Sequence, residues 1–205
     1  MSTLYINFEP RIAWELEDSI QVKTRVLEEQ ISILNDIVQL LVQTLKEGKK
    51  VILFGNGGSA ADCQHIAGEL VNRFRQDRQA LPSIALTTDT SVLTSIANDS
   101  SFSEVFSRQI EALGQKGDVA IGISTSGNSP NVLKGIQAAR EKGMNTVGFT
   151  GHDGGNLRDS VDICFQVPSL STPRIQEVHI TVAHIICELI EQEICLSKVY
   201  SQGIS

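Results

Sequence analysis

From Asp18 to Lys50 the segment "DSIQVKTRVLEEQISILNDIVQLLVQTLKEGKK" repeats apolar residues at helical spacing, with Ile31, Leu34, Ile37, Val38, Leu41 and Leu45 along one stripe. It stops at Gly48 and a pair of lysines, residue types that close a helix. Beyond it the pattern alternates. Short apolar runs at 51–54, 83–86, 118–123, 145–149 and 162–167 predict strands. The segments 58–74, 90–112 (as two helices), 129–142 and a shorter one near 154–160 predict helices between them, and a long last helix is expected over about 174–195.

Strands separated by helices imply βαβ crossovers, hence a mostly parallel sheet covered on both faces. The expected fold is therefore α/β: a three-layer, doubly wound sandwich with a five-stranded parallel sheet and an N-terminal helical extension. Residues 1–48 would form the extension, 49–195 the α/β domain and 196–205 a frayed tail. No repeat, low-complexity run or linker marks a second domain, and 205 residues are enough for one well-cored unit.

In such sheets ligands bind beyond the carboxyl ends of the strands. That rule points to residues 55–59, 87–89, 124–129 and 150–155, all rich in Gly, Ser, Thr, Asn or Asp. The stretch "GISTSGNSPNVLKGI" follows an expected strand and crowds Ser124, Thr125, Ser126, Asn128 and Ser129 around Gly127, which suits a tight turn. Ser129 is the expected N-cap, and Pro130 fits the first helical turn. A single capped turn would be only a helix start; so many donors beside a helix N-terminus point to an anion. The stretch "VILFGNGGSAADCQHIAGEL" repeats the strand–turn–helix plan with Gly55, Asn56, Gly57, Gly58 and Ser59. It has neither G-x-G-x-x-G spacing nor the lysine of G-x-x-x-x-G-K-[ST]. Neutral hydroxyl and amide donors suit one phosphate on a small molecule, so no nucleotide cofactor is expected.

Composition removes some partners. A net charge of −7 and a pI near 5.1 oppose non-specific nucleic-acid binding, which needs a basic face. Cys63, Cys164, Cys187 and Cys195 form no C-x-x-C pair and read as reduced thiols in mostly apolar surroundings. The N-terminus carries acidic residues where a signal peptide would be basic and then apolar, and no run approaches the ~20 apolar residues of a membrane span. A cytoplasmic protein without membrane or nucleic-acid partners is the expectation.

Acid–base groups are few, with histidines only at His65, His152, His179 and His184. His65 and Glu69 stand four apart on the helix that the first loop opens, so they share a face, and such a pair can ligate a metal. On the last helix Gln176 and His184 are eight apart, about 80° round the wheel. Glu177 and His184, seven apart, are nearly in line, and spacing alone prefers that pair. A lone His or Glu on such helices is more often a core residue or a solvent-edge acid, so spacing does not decide. His179 is expected to pack the last helix and His152 to lie at the surface.

G-N-G-G-S opening one helix and S-T-S-G-N-S opening another resemble the sugar isomerase (SIS) domain of phosphosugar isomerases and phosphosugar-binding regulators. Within that superfamily, "FGNGGSAADCQHIAGEL", "TSIANDSSFSEVFSRQI", "GISTSGNSPNV", "TGHDGGNL" and "RIQEVHITVAHIICELIE" resemble the phosphoheptose isomerase family, over about residues 15–195. The resemblance implies conversion of D-sedoheptulose 7-phosphate to D-glycero-D-manno-heptose 7-phosphate through an enediol, opening the synthesis of nucleotide-activated heptose for lipopolysaccharide core. It implies Glu69 and His184 as the catalytic pair, and His65, Glu69, Gln176 and His184 as ligands of zinc. Asn56, Gly57, Gly58, Ser59, Glu69, Asn98, Asp99, Ser124, Thr125, Ser126, Ser129 and Gln176 match substrate contacts. A homotetramer with active sites between subunits is implied as well, packed in part through the N-terminal helices. The alternative is a non-catalytic SIS relative that binds a phosphosugar or a replication initiator. That branch lacks the glutamate and the last-helix histidine, both present here.

Overall fold

A computed structural model describes the backbone of residues 6–202 and the side chains of residues 6–196. Strands β1 (Val51–Gly55), β2 (Ser83–Ala85), β3 (Val119–Ile123), β4 (Asn145–Gly151) and β5 (Ile163–Val167) pair in parallel throughout, in the order β2-β1-β3-β4-β5. Around the sheet lie α1 (Glu9–Glu29), α2 (Ile31–Lys46), α3 (Gly58–Val71), α4 (Thr90–Asp99), α5 (Ser107–Leu113), α6 (Pro130–Glu141), α7 (Gly155–Arg158) and α8 (Thr172–Gln202). A strand covered on both sides needs apolar residues at successive positions. β1 supplies them: Val51 and Leu53 join the core under α1, α2, α3 and α8, while Ile52 and Phe54 join the core under α4 to α7. On that second face the sheet is kept low by small residues. A side chain at Gly122 would meet Val132 at 2.9 Å, and one at Gly135 on α6 would meet the Phe54 ring at 2.7 Å.

The fold class agrees with the expectation, and the differences lie at the ends of elements. The helical run expected from 18 to 50 is two helices, parted where Gln30 leaves the helical region at φ −122° and its side-chain oxygen accepts from the Gln166 N–H on β5. α3 stops at Val71 rather than near 74, because the N–H groups of Phe74, Arg75 and Gln76 go to the Glu191 carboxylate instead of to helix carbonyls. The last helix continues to Gln202, so residues 196–202 are helical where a frayed tail was expected; residues 203–205 of that tail, and 1–5 of the extension, lie outside the described residues.

β1 has β2 on one side and β3 on the other, so the direction of winding reverses at the β1/β3 boundary. The crevice beyond the carboxyl ends of those two strands is where a doubly wound sheet binds its ligand. Both glycine- and serine-rich loops emerge there. Among the described residues, no helix is long and apolar enough to cross a membrane.

Candidate active site

The loop after β1 turns on Gly57, whose φ of 57° and ψ of −123° suit only a residue without Cβ. It leads directly into the N-terminus of α3 with Ser59 buried at 3% exposure. Asn56 and Asn131 exchange amide hydrogen bonds at 2.9 and 2.8 Å, tying this loop to the start of α6. Asn131 also accepts from the Val132 N–H at 3.0 Å. The pair locks the two strand–helix turns together.

The loop after β3 is laced to its neighbours by its own backbone. Ser124 N–H donates to Phe149 and Gly127 N–H to Ser124, while the Gly127 carbonyl accepts from Leu157 N–H at 2.9 Å. Gly127 has φ +66°, and a Cβ there would stand 1.9 Å from the Gly154 carbonyl oxygen. Only glycine fits. Ser129 occupies the N-cap position of α6, but its hydroxyl makes no capping bond; it pairs with the Ser124 hydroxyl at 3.0 Å. The N-cap position is as expected; the side-chain capping bond is absent. In the first turn of α6 the Val132 N–H goes to the Asn131 side chain instead, and the Ser124 and Ser129 hydroxyls beside that turn can rotate toward an anion.

α3 and α8 run side by side, and they bring the acid–base groups together. His65 Nε2 lies 3.2 Å from Glu69 Oε1 and 3.2 Å from His184 Nε2. All three donor atoms fall within 4.8 Å of one another. The group opens to solvent, with side-chain exposures of 48% for His65 and 24% for Glu69. Zinc held tetrahedrally at ~2.0–2.1 Å from its ligands sets neighbouring donor atoms about 3.3 Å apart. Two imidazoles and a carboxylate at this spacing therefore make a candidate metal centre whose donor types fit zinc.

Gln176 stands elsewhere on α8, at the start of α3: a Cβ on Gly58 would lie 2.5 Å from its amide nitrogen. It faces the first loop's helix start, while His65 and Glu69 lie about two to three turns further along α3. The pair favoured by spacing alone, Glu177 with His184, does not form a unit. Glu177 accepts from the Ser19 hydroxyl at 2.8 Å and pairs with Arg174 at 2.8 Å, which fastens α1 to α8. Asn98 and Asp99 are exposed at the end of α4, bonded to each other at 2.7 Å. His152 is at the surface, as expected, in a left-handed backbone conformation with φ 51°. His179 is buried at 1% exposure; its Nε2 meets the Thr150 carbonyl at 3.0 Å between the rings of Phe149 and Phe165. All four cysteines are free thiols; Cys63 and Cys187 are buried, Cys164 and Cys195 half-buried.

Three residues of the site escaped sequence reasoning. Asp62 precedes His65 by one turn, and burial raises its carboxyl above the ordinary range against the opposing charge of His65 and His184. The spacing Asp62, His65, Glu69 is itself a helical face and was a readable signal. Phe74 stacks its ring 5.7 Å from that of His184, and Asn131 holds Asn56. Nothing in their local sequence marks these two.

A doubly wound parallel sheet with two neutral, hydroxyl-lined helix starts at its switch point defines a phosphosugar-binding α/β domain, and residues 16–151 match the SIS domain family. The chain belongs to that family, and within it to the phosphoheptose isomerases. It is 58% identical over 178 residues to a phosphoheptose isomerase of Roseiflexus sp. (strain RS-1), covering 87% of this chain and 90% of the relative. It is 50% identical to that of Thermodesulfovibrio yellowstonii, covering 91% of this chain and 92% of the relative. A solved phosphoheptose isomerase from Neisseria gonorrhoeae superposes with a TM-score of 0.86 at 41% identity, covering 91% of this chain and all (100%) of that one. One from Francisella tularensis gives 0.88 at 34% identity, with coverage of 91% and 100%.

Proposed function

We infer that the chain is an aldose–ketose isomerase that converts D-sedoheptulose 7-phosphate to D-glycero-D-manno-heptose 7-phosphate, at the head of nucleotide-activated heptose synthesis. The observation that carries this reading is the meeting of Glu69 and His184 beside two phosphate-competent loops. A non-catalytic binder has no use for that pair. In the reading, hydroxyls of Ser59, Ser124, Thr125, Ser126 and Ser129, with the N–H groups around Gly57 and Gly58, hold the phosphate. Asn56 and Gln176 line the path from that end to the reacting carbons, and Asn98 and Asp99 hold sugar hydroxyls. Fixing the phosphate orients the other end of the sugar for reaction.

The chemistry moves one carbon-bound proton and one oxygen-bound proton. Glu69 takes a proton from C1, and His184 gives one to the carbonyl oxygen on C2, forming a cis-enediol. His184 then recovers a proton from the C1 hydroxyl as Glu69 returns its proton to C2. The aldehyde at C1 and the hydroxyl at C2 complete the exchange, with both groups restored. A carboxylate has two oxygens, so Glu69 can face His65 with Oε1 while Oε2 serves the sugar.

His65, Glu69 and His184 would hold zinc; Gln176, the expected fourth ligand, packs against Gly58 at the start of α3, about two to three turns from that cluster, and is left to the sugar. When bound, zinc would polarise the sugar's oxygens as a Lewis acid. A homotetramer with sites shared between subunits belongs to the same proposal. It is supported by Ile12, Leu16, Ile20 and Leu27, exposed at 58–66% within about 80° of arc on α1. Light scattering that returns the 22.3 kDa monomer mass would end that part of it.

The test is an isomerase assay on wild type, Glu69→Gln and His184→Ala. Each variant should lose turnover by roughly a thousandfold or more while still binding the sugar phosphate. Variants that turn over normally would refute the roles.

A further inference from the structure

The seam between α3 and α8 holds a second polar cluster past the reacting pair. Glu191 lies on α8 two turns beyond His184 and is 1% exposed. Its Oε1 accepts the N–H groups of Arg75 and Gln76, both at 2.7 Å; its Oε2 accepts Phe74 N–H at 2.9 Å and Arg78 Nε at 3.0 Å. The Arg78 side chain is 2% exposed. Its remaining nitrogens donate to the carbonyls of Glu69 at 2.8 Å, Leu70 at 2.9 Å and Gln79 at 3.0 Å. Arg78 thus caps the last turn of α3, where carbonyls have no helical partner and a cation opposes the helix dipole.

Each arm of the cluster ends on one member of the reacting pair. Arg78 holds the backbone of Glu69 itself. Glu191 holds the backbone of Phe74, whose ring lies against that of His184. A buried ion pair is by itself a poor source of stability, since apolar replacements often serve as well. Placement is what this one supplies. We propose that Arg78 and Glu191 are positioning residues for the isomerisation, clamping the C-terminal turn of α3 to α8 and so fixing the Glu69 carboxylate relative to the His184 ring. The proposal rests on the reading of Glu69 and His184 as the reacting groups. A displacement of about 1 Å between reacting groups can cost on the order of a hundredfold in rate.

The experiment compares Glu191→Gln and Arg78→Lys with Asp118→Asn in the full-length protein. Asp118 is an equally buried carboxylate at 1% exposure, accepting from Lys50 N–H, Lys50 Nζ and Gln115 N–H at the amino ends of the strands, far from the site. Arg78→Lys keeps a charge for Glu191 but loses the fork that reaches the α3 carbonyls. It also provides a folded variant should Glu191→Gln not fold. The proposal expects kcat to fall about thirtyfold or more in both site variants with KM within about threefold, because the phosphate loops are untouched. Asp118→Asn should lower the melting temperature and leave kcat within about twofold. The His184 ring resonance, displaced by the Phe74 ring current, should move in the site variants and not in Asp118→Asn. Site variants whose kcat and His184 resonance follow those of Asp118→Asn overturn the proposal. A wild type without turnover would strike the isomerase reading and this proposal with it, whereas an active wild type whose site variants match Asp118→Asn strikes this proposal alone.

Discussion

His184 Nε2 on α8 lies 3.2 Å from His65 Nε2 on α3, a contact spanning 119 residues of sequence. Two ring nitrogens meeting head-on need either one proton between them or a shared cation, and Glu69 Oε1 completes the group at 3.2 Å from His65. The two helices that make this contact are also those that begin and close the α/β unit.

If the group holds zinc, affinity must fall when a donor is removed. Metal-stripped wild type should bind zinc in competition with a chelating dye, and His65→Ala should bind it more weakly by well over tenfold. Added zinc should raise the melting temperature of wild type and leave that of His65→Ala almost unchanged. Equal affinities would remove His65 from the metal centre.

Gly127→Ala tests the serine-rich loop. The substitution combines a left-handed φ of +66° with a contact of 1.9 Å to the Gly154 carbonyl oxygen, so the 124–129 loop and the 151–157 segment must separate. Strain and lost packing of this kind cost on the order of 2–4 kcal/mol. Differential scanning calorimetry should show the loss of stability, and KM for the phosphosugar should rise more than kcat falls. A variant with wild-type KM would show that the loop's shape does not matter to binding.

Stability should fall in mild acid. Burial lowers the His179 pKa from 6.5 to about 4, against the Thr150 carbonyl, which favours the proton. The unfolded chain therefore binds the extra proton between those two values, and the folded state is destabilised as pH drops through that window, by about 3 kcal/mol in total. Glu191 acts in the same direction lower down. Its burial would raise the carboxyl, but the N–H groups of Phe74, Arg75 and Gln76 with Arg78 hold it below the ordinary value, so its contribution vanishes as pH falls through that lowered pKa. Chemical denaturation at pH 7, 5.5 and 4.5 measures the slope. His179→Gln, which cannot titrate, should be less stable at pH 7 and lose less between pH 7 and 4.5.

The sequence made the strands and most helices readable because residues buried on both faces leave unbroken apolar runs, as at Val51–Phe54, and glycine-rich turns punctuate them. Composition and helical phase do not encode where a helix meets a distant acceptor. Hence the break at Gln30, and the early end of α3 caused by Glu191, more than 100 residues away, were not legible. The two loops proposed to hold the phosphate stood out by their density of donors. Glu69 and His184 did not: local spacing favoured Glu177, which the fold uses to hold α1 through Ser19. Choosing His184's true neighbours required either the family likeness or the packing of α8 on α3. Asn131 and Phe74 act through residues far off in sequence, and nothing near them announces it.

The central claim is that Glu69 moves a carbon-bound proton with His184 serving the oxygens. The most direct measurement follows sedoheptulose 7-phosphate in deuterium oxide by NMR. Wild type should place solvent deuterium on the carbon next to the new aldehyde, at a rate that Glu69→Gln lowers by roughly a thousandfold with the sugar phosphate still bound. Deuterium uptake by Glu69→Gln within about twofold of wild type would contradict the account, because the carbon proton would then be moved by another group.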